Sequence, residues 1–117
     1  MGKLTTHVLD TAHGCPAAGM KVTLLRVDDL HAETLTQLLL NLDGRADGPL
    51  LEGATLKRGR YRLVFSVAAY FRLRGTDLPD VPFIDEVPLD FGIDDPSLHY
   101  HVPLLVSPWS YSTYRGS

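Results

Sequence analysis

Alternation of apolar and polar side chains with a period of two is the dominant pattern of this chain. In residues 59–67 (GRYRLVFSV), large apolar side chains fall at odd positions from Tyr61 onward, with arginine, valine and serine between them. This period is that of a β-strand with one buried face. Residues 20–27 (MKVTLLRV) alternate in the same way, and residues 3–10 (KLTTHVLD) are rich in β-branched types. Both segments are therefore predicted to be strands.

The rest of the chain adds more short strands and one short helix. Further strands are predicted at about 84–93, at 98–107 and near 110–115. Residues 68–74 (AAYFRLR) suit a helix of about two turns that ends at Gly75 as its C-cap. Seven or eight short strands and one helix in 117 residues predict a single domain, residues 1–117. Its expected architecture is all-β with one short helix, in the form of a two-sheet antiparallel sandwich.

Two signals predict details of strand pairing. Residues 32–42 (AETLTQLLLNL) contain residue types that favour helices. Asp43-Gly44 follows immediately and is a strong hairpin signal, so we predict a strand on each side of it. Pro103 has no backbone N–H, so its strand is predicted to be an edge strand or to carry a bulge there.

Composition excludes several classes of protein. Apolar residues are 44% and charged residues 21% of the chain, with a net charge of −3, so no basic surface for nucleic acid is expected. No stretch approaches the roughly 20 apolar residues that cross a membrane, and the N-terminus has no signal-peptide pattern. The single cysteine, Cys15, excludes an intrachain disulfide and suits a reducing compartment. We therefore expect a cytoplasmic protein with neither a nucleic-acid nor a membrane partner.

His99 and His101 lie two residues apart in a predicted strand and therefore share a face. Such a pair can bind a metal, supply an acid and a base near neutral pH, or lie in solvent. A zinc site needs three or four converging ligands, and no carboxylate or cysteine is placed beside this pair. No metal site is predicted.

Two other residues are candidates for a functional site: His7, because of the strand face it occupies, and Arg45, because of its charge. If Leu4 and Val8 face the core, His7 points away from it, toward solvent or a partner. Arg45 follows the Asp43-Gly44 turn. It is either a solvated surface residue or a planar, permanently charged fork for an oxygen-rich anion.

Several segments together resemble the 5-hydroxyisourate hydrolase family, also called transthyretin-related proteins. The segments are LTTHVLDTAHGCPA, LDGR, GRYRLVFSVAAYF and HYHVPLLVSPWSYSTYRGS, so that the resemblance covers essentially the whole chain. The terminal Tyr114-Arg115-Gly116-Ser117 is the family's signature. Transthyretin, the hormone-carrying relative, resembles this chain in fold but lacks this terminus and the functional histidines.

The resemblance implies a transthyretin-like sandwich that assembles into a homotetramer, a dimer of dimers around a central channel. Its active site is implied near each mouth of the channel, with His7, Arg45, His101, Tyr114 and Ser117 as the functional residues. His99 is assigned a supporting role. No cofactor is implied.

The implied reaction is the hydrolysis of 5-hydroxyisourate, a purine-derived small molecule, to 2-oxo-4-hydroxy-4-carboxy-5-ureidoimidazoline. A histidine of near-neutral pKa accepts a proton from water, and His101 takes this role alone or shares it with His7. Arg45 orients the substrate and stabilises the oxyanion. It also lowers the pKa of a neighbouring histidine. Tyr114 and Ser117 close the pocket. The alternatives are a transthyretin-like carrier of an aromatic small molecule and a β-sandwich interaction module.

Overall fold

The molecule is a sandwich of two β-sheets in a computed structural model that describes residues 1–116. A single turn of 3-10 helix, Gly53–Thr55, follows the fifth strand, and one α-helix, α1, spans Val67–Leu73. The strands of the described residues are β1 (Lys3–Asp10), β2 (Cys15–Pro16), β3 (Lys21–Val27), β4 (Ala32–Leu39), β5 (Leu51–Glu52), β6 (Gly59–Ser66), β7 (Glu86–Ile93), β8 (Tyr100–Val106) and β9 (Tyr111–Thr113).

The first sheet, sheet I, has the strand order β2-β1-β8-β9, with β5 also paired to β1. The second, sheet II, has the order β4-β3-β6-β7. Among the described residues all strand pairs are antiparallel except β1 and β8, which run parallel over seven residue pairs from Leu4↔Tyr100 to Asp10↔Val106. The two-sheet sandwich is confirmed. The parallel pair was not foreseen, because side-chain alternation fixes which face is buried and not which way a neighbouring strand runs.

The inner faces of both sheets form the core, as alternation predicts. In β6, Tyr61, Leu63 and Phe65 are fully buried. In β1, Leu4 and Val8 are fully buried, whereas the intervening odd positions are half-buried. Each such apolar side chain stabilises the fold by roughly 1.5–3 kcal/mol through burial. The opposite face of β1 is therefore free to carry polar side chains.

Helix α1 packs its apolar side chains into the core of the sandwich. Val67, Ala68, Tyr70 and Phe71 are its buried residues. Gly75 follows with a φ of 82°, the left-handed conformation that favours glycine after a helix. The predicted helix is confirmed with its bounds shifted by one residue, and its C-cap is Arg74 instead of Gly75, which follows it. No helix in the described residues is long and apolar enough to cross a membrane.

The prediction around Asp43-Gly44 was half wrong. β4 is a strand, but it forms its hairpin with β3, and no strand follows the Asp43-Gly44 turn until β5. Gly44 does adopt a φ of 72°. The turn is closed by Asn41, whose side-chain oxygen accepts hydrogen bonds from the N–H groups of Asp43 and Arg45. A side-chain-closed loop therefore replaces the second strand.

The prediction for Pro103 was also wrong. β8 lies between β1 and β9, and it pairs with β1 without a register shift. The Pro103 carbonyl accepts a hydrogen bond from Thr113 Oγ1 at 2.7 Å, so its backbone faces the C-terminal segment. β9 pairs only with Leu104–Val106. The missing N–H falls just beyond the end of this short ladder, so an interior strand accommodates the proline.

Candidate functional site

The parallel pairing of β1 with β8 places both candidate histidines on the outer face of sheet I. Thr5 lies beside His101, and His7 lies beside Pro103. His7 and His101 are therefore diagonal neighbours on adjacent strands, and both are half-buried. The prediction that His7 points away from the core is confirmed, since Leu4 and Val8 on the other face are fully buried.

Arg45 joins this face through the loop that Asn41 closes. Asn41 N–H donates to the Arg45 carbonyl at 2.8 Å, and Arg45 forms an isolated antiparallel bridge with His7. Opposed residues in such a bridge project to the same side of a sheet. Gly44 allows the close approach, because a Cβ there would lie 2.5 Å from the Val8 carbonyl oxygen. His7 thus has Arg45 on one side and β8 on the other.

His101 has an environment that favours its neutral form. Partial burial lowers its pKa below the usual 6.5, and the positive charges of Arg45 and His7 lower it further. A hydrogen bond to the Thr5 backbone acts in the opposite direction without reversing the shift. The Arg45 effect agrees with the direction expected from the sequence. A neutral imidazole at neutral pH can accept a proton from water.

The C-terminal segment lies along the other side of His101. Gly116 N–H donates to the His101 carbonyl at 2.7 Å. The pairs Leu104↔Thr113 and His101↔Gly116 have equal spacing on both strands, which places Tyr114 opposite Pro103. Tyr114 is 60% exposed. Ser117 lies outside the described residues.

Arg115 leaves the outer face and packs on the core side of β8. Its guanidinium carbon lies 4.3 Å from the centroid of the Tyr100 ring, and its Nη2 donates to the His99 carbonyl at 3.3 Å. The His99 side chain is exposed, and His99 precedes β8. Within residues 1–116, no group of three His, Cys, Asp or Glu side chains is placed to hold a metal ion.

The three clustered side chains lie on an open face of this chain. A cleft of about 460 Å³ is present elsewhere, between the edges of the two sheets. Residues 88–92 of β7 and 113–115 of the C-terminal segment contribute to its lining, and His7, Arg45 and His101 do not. One subunit therefore supplies the polar groups of the candidate site but not the walls that would enclose a small molecule.

Sequence reasoning missed three residues of this site. Thr5 hydrogen-bonds the His101 imidazole, Asn41 shapes the loop that carries Arg45, and Gly116 contacts the His101 ring. Thr5 and Gly116 contact His101 from other segments of the chain, and Asn41 acts through the loop that it closes. Two features of the sequence pointed toward them: Thr5 shares a strand face with His7, and Gly116 belongs to the terminal segment that carries the family signature.

Comparison with known proteins gives matches along the whole chain. A profile of the HIUase/Transthyretin family matches residues 4–116. The 5-hydroxyisourate hydrolase of Pseudomonas aeruginosa is 55% identical over 117 residues, which are 100% of this chain and 93% of that protein. The protein of the same name from Ralstonia nicotianae is 53% identical over 100% of both chains.

Solved structures with a similar fold include members of the same family. Klebsiella pneumoniae 5-hydroxyisourate hydrolase has a TM-score of 0.82 and 37% identity over 100% of both chains. An (S)-allantoin synthase has a TM-score of 0.93 and 50% identity, and the match covers 99% of this chain but 44% of that longer one. A sea bream transthyretin in complex with thyroxine has a TM-score of 0.85 at 24% identity over 97% of this chain and 94% of that one, a likeness of fold.

Proposed function

The chain belongs to the HIUase/Transthyretin family, and we propose that it hydrolyses 5-hydroxyisourate, a purine-derived heterocycle. The product is 2-oxo-4-hydroxy-4-carboxy-5-ureidoimidazoline. The observation that carries this proposal is the 53–55% identity, along the whole chain, with proteins named 5-hydroxyisourate hydrolase. The likeness to transthyretin, at 24% identity, gives no comparable support to a carrier function.

The reaction adds water to a ring carbonyl and breaks the adjacent carbon–nitrogen bond. The water oxygen bonds to the carbonyl carbon while its proton passes to an imidazole. The ring nitrogen then leaves and takes up a proton, which the imidazolium can return. We assign His101 as the base, alone or together with His7, because burial and the nearby Arg45 charge lower its pKa.

Arg45 has the chemistry to bind the substrate and to stabilise its transition state. Its guanidinium is permanently charged and planar, and it matches a flat, oxygen-rich ring. Negative charge develops on the carbonyl oxygen as water adds, and a fixed cation nearby lowers the energy of that state. The bridge between Arg45 and His7 keeps this cation beside the reacting groups.

The terminal residues complete the proposed site. Tyr114 is exposed and lies opposite Pro103 in register, and it also lines the separate cleft beside β7. We assign its hydroxyl to the edge of the substrate ring from the family resemblance. Ser117 is assigned to the same task from the family resemblance alone. Both residues would help to exclude bulk water once the substrate is bound.

Assembly supplies the missing walls of the site. We propose a single-domain subunit that forms a homotetramer, a dimer of dimers with its channel along the outer face of sheet I. β7 and β9 are edge strands on the same flank, and unpaired edges favour pairing with another chain. Phe83 and Trp109 are 74% and 61% exposed. Their rings lie 6.1 Å apart, which marks an apolar surface suited to burial between subunits.

We place the reaction in the cytoplasm. Cys15, the single cysteine of the chain, is free and half-buried, which fits a reducing compartment. Fractionation of source cells, with an antibody against the protein, checks this location.

The activity is tested with purified protein and freshly prepared 5-hydroxyisourate, whose decay is followed by ultraviolet absorbance. We expect the protein to accelerate the decay, and His101→Asn to reduce the turnover number by about a hundredfold or more if this side chain is the general base. A decay rate equal to that of buffer would refute the proposed function. A loss of only a few-fold in the variant would remove His101 from the role of base.

A further inference from the structure

The imidazole of His101 contacts a different segment of the chain at each of its two edges. On the β1 side, Nδ1 lies 2.8 Å from the Thr5 hydroxyl oxygen. On the other side, the ring packs against Gly116, where a Cβ would lie 2.5 Å from His101 Cδ2 and 3.1 Å from Cγ. β8 lies between these two segments. The Nδ1 and Cδ2 edges are therefore both occupied, and Nε2 is at the far end of the ring.

These contacts also define the orientation of the ring. A rotation of 180° about the Cβ–Cγ bond would exchange Nδ1 with Cδ2. Thr5 would then face a carbon atom, and its hydroxyl would lose its partner. The tight contact with Gly116 further restricts intermediate orientations, because van der Waals repulsion rises steeply at short distance.

From this geometry we propose that Thr5 is a positioning residue that sets the tautomer of His101. The Nδ1–H of His101 donates to Thr5 Oγ1, which leaves Nε2 unprotonated as the proton acceptor. In neutral histidine one ring nitrogen carries the proton and the other accepts, so the partner of one nitrogen decides the function of the other. The kinetic part of this inference rests on the proposed hydrolase function, whereas the tautomer can be measured without substrate.

The Thr5 backbone favours the same tautomer. It raises the pKa of the imidazole, which is the effect of a group that accepts a hydrogen bond from the ring.

Two substitutions separate the hydroxyl from the shape of the side chain. Thr5→Val removes the hydroxyl and keeps the β-branched outline, and Thr5→Ser keeps the hydroxyl. Thr23→Val is the matched control, because Thr23 is a half-buried strand residue of sheet II that bonds the Gln37 side chain at 3.0 Å.

The first measurement is nitrogen-15 NMR of protein labelled at histidine, at a pH where His101 is neutral. We expect the wild type and Thr5→Ser to have a protonated Nδ1 and an unprotonated Nε2. In Thr5→Val, the proton should shift toward Nε2. A wild-type Nδ1 without a proton, or a tautomer that is the same in Thr5→Val and the wild type, would overturn the proposal whether or not the protein is a hydrolase.

The second measurement is steady-state hydrolysis of 5-hydroxyisourate. We expect Thr5→Val to lower kcat by about tenfold or more with a much smaller change in KM, because a histidine in the wrong tautomer cannot accept the proton. Thr5→Ser should restore most of the rate, and Thr23→Val should match the wild type. Equal losses in Thr5→Val and Thr5→Ser would contradict the role of the hydroxyl. An inactive wild type would refute the hydrolase function, but the NMR result would still decide the role of Thr5.

Discussion

At the scale of single residues, the chemistry of His101 is determined by groups from three other segments of the chain. Thr5 contacts Nδ1, Gly116 packs against the opposite edge, and Arg45 and His7 contribute positive charge. None of these residues is a sequence neighbour of His101. The properties of this side chain therefore depend on the accuracy with which strands, loop and terminus are brought together.

The charge of Arg45 should control the pH dependence of the reaction. A base works only when it is unprotonated, so kcat/KM should fall as the pH drops through the pKa of His101. Burial and then Arg45 lower that pKa below 6.5, so Arg45→Gln should move the acidic limb to higher pH. Arg45→Lys keeps the charge and should leave the limb close to its wild-type position. The measurement is kcat/KM between about pH 5 and 8. A midpoint that stays fixed or moves to lower pH in Arg45→Gln would contradict this electrostatic coupling.

Gly116 should be required for the position of the His101 ring. Gly116→Ala introduces a methyl group 2.5 Å from His101 Cδ2, so either the ring or the C-terminal segment must move. We expect kcat to fall by roughly 10- to 100-fold, because small displacements of a reacting group carry such penalties. Gly48→Ala is the control, since its Cβ would meet no atom within 4 Å. Wild-type kcat in Gly116→Ala would mean that this contact is irrelevant to turnover.

At the scale of elements, the strand β1 contributes side chains to the core, to the candidate site and to the contact that anchors α1. Its last residue, Asp10, is fully buried. The carboxylate accepts hydrogen bonds from the His13 N–H at 2.9 Å and from Tyr70 Oη at 2.8 Å, and it lies 2.6 Å from His13 Nδ1. Burial raises the pKa of Asp10, but these hydrogen bonds outweigh burial and the net shift is downward. The carboxylate thus ties the helix to the end of the strand.

Tyr70→Phe should weaken this connection without affecting the candidate site. We expect a loss of about 1–3 kcal/mol in the free energy of unfolding, because a buried carboxylate loses a donor. The stabilisation from Asp10 is fully present above its unfolded pKa, near 3.8, and it is lost as the pH falls through the lower folded pKa. Urea unfolding at neutral pH and below pH 3.8 checks both points. The variant and the wild type should differ more in their free energy of unfolding at neutral pH than below pH 3.8. Equal stability at neutral pH would contradict the anchoring role.

The elements differ in how far the sequence could predict them. The strands β1, β3 and β6 and the helix α1 follow from local alternation and from the glycine after the helix. The parallel pairing of β1 with β8 does not, because it joins residues that are 96 positions apart in the sequence and depends on the packing of the whole sandwich. The contact between Thr5 and His101 depends on this pairing. For the same reason, the resemblance implied roles for His7, Arg45 and His101 but pointed to no role for Thr5 or Asn41, which contact or position them.

At the scale of the whole molecule, the proposed assembly accounts for both the open candidate site and the exposed aromatic pair. Trp109→Glu should place a charge in the proposed interface and shift the protein from a tetramer of 12.9 kDa chains to smaller species, with a parallel loss of activity. Leu39→Glu is the control, because Leu39 is equally apolar and 68% exposed but lies on β4, at the opposite edge of sheet II. Light scattering after size-exclusion chromatography measures the mass. A monomeric wild type with full activity would contradict the proposed assembly.

A crystal structure of the assembled protein with a stable urate-like analogue tests whether Arg45 and His101 bind the same substrate molecule. We expect one analogue per site, with the Arg45 guanidinium and the Nε2 atom of His101 within hydrogen-bonding distance of the same heterocycle, His7 beside it and a second subunit closing the pocket. An analogue bound only in the cleft between β7 and the C-terminal segment, with no contact to Arg45 or His101, would refute the assignment of these two residues to the active site.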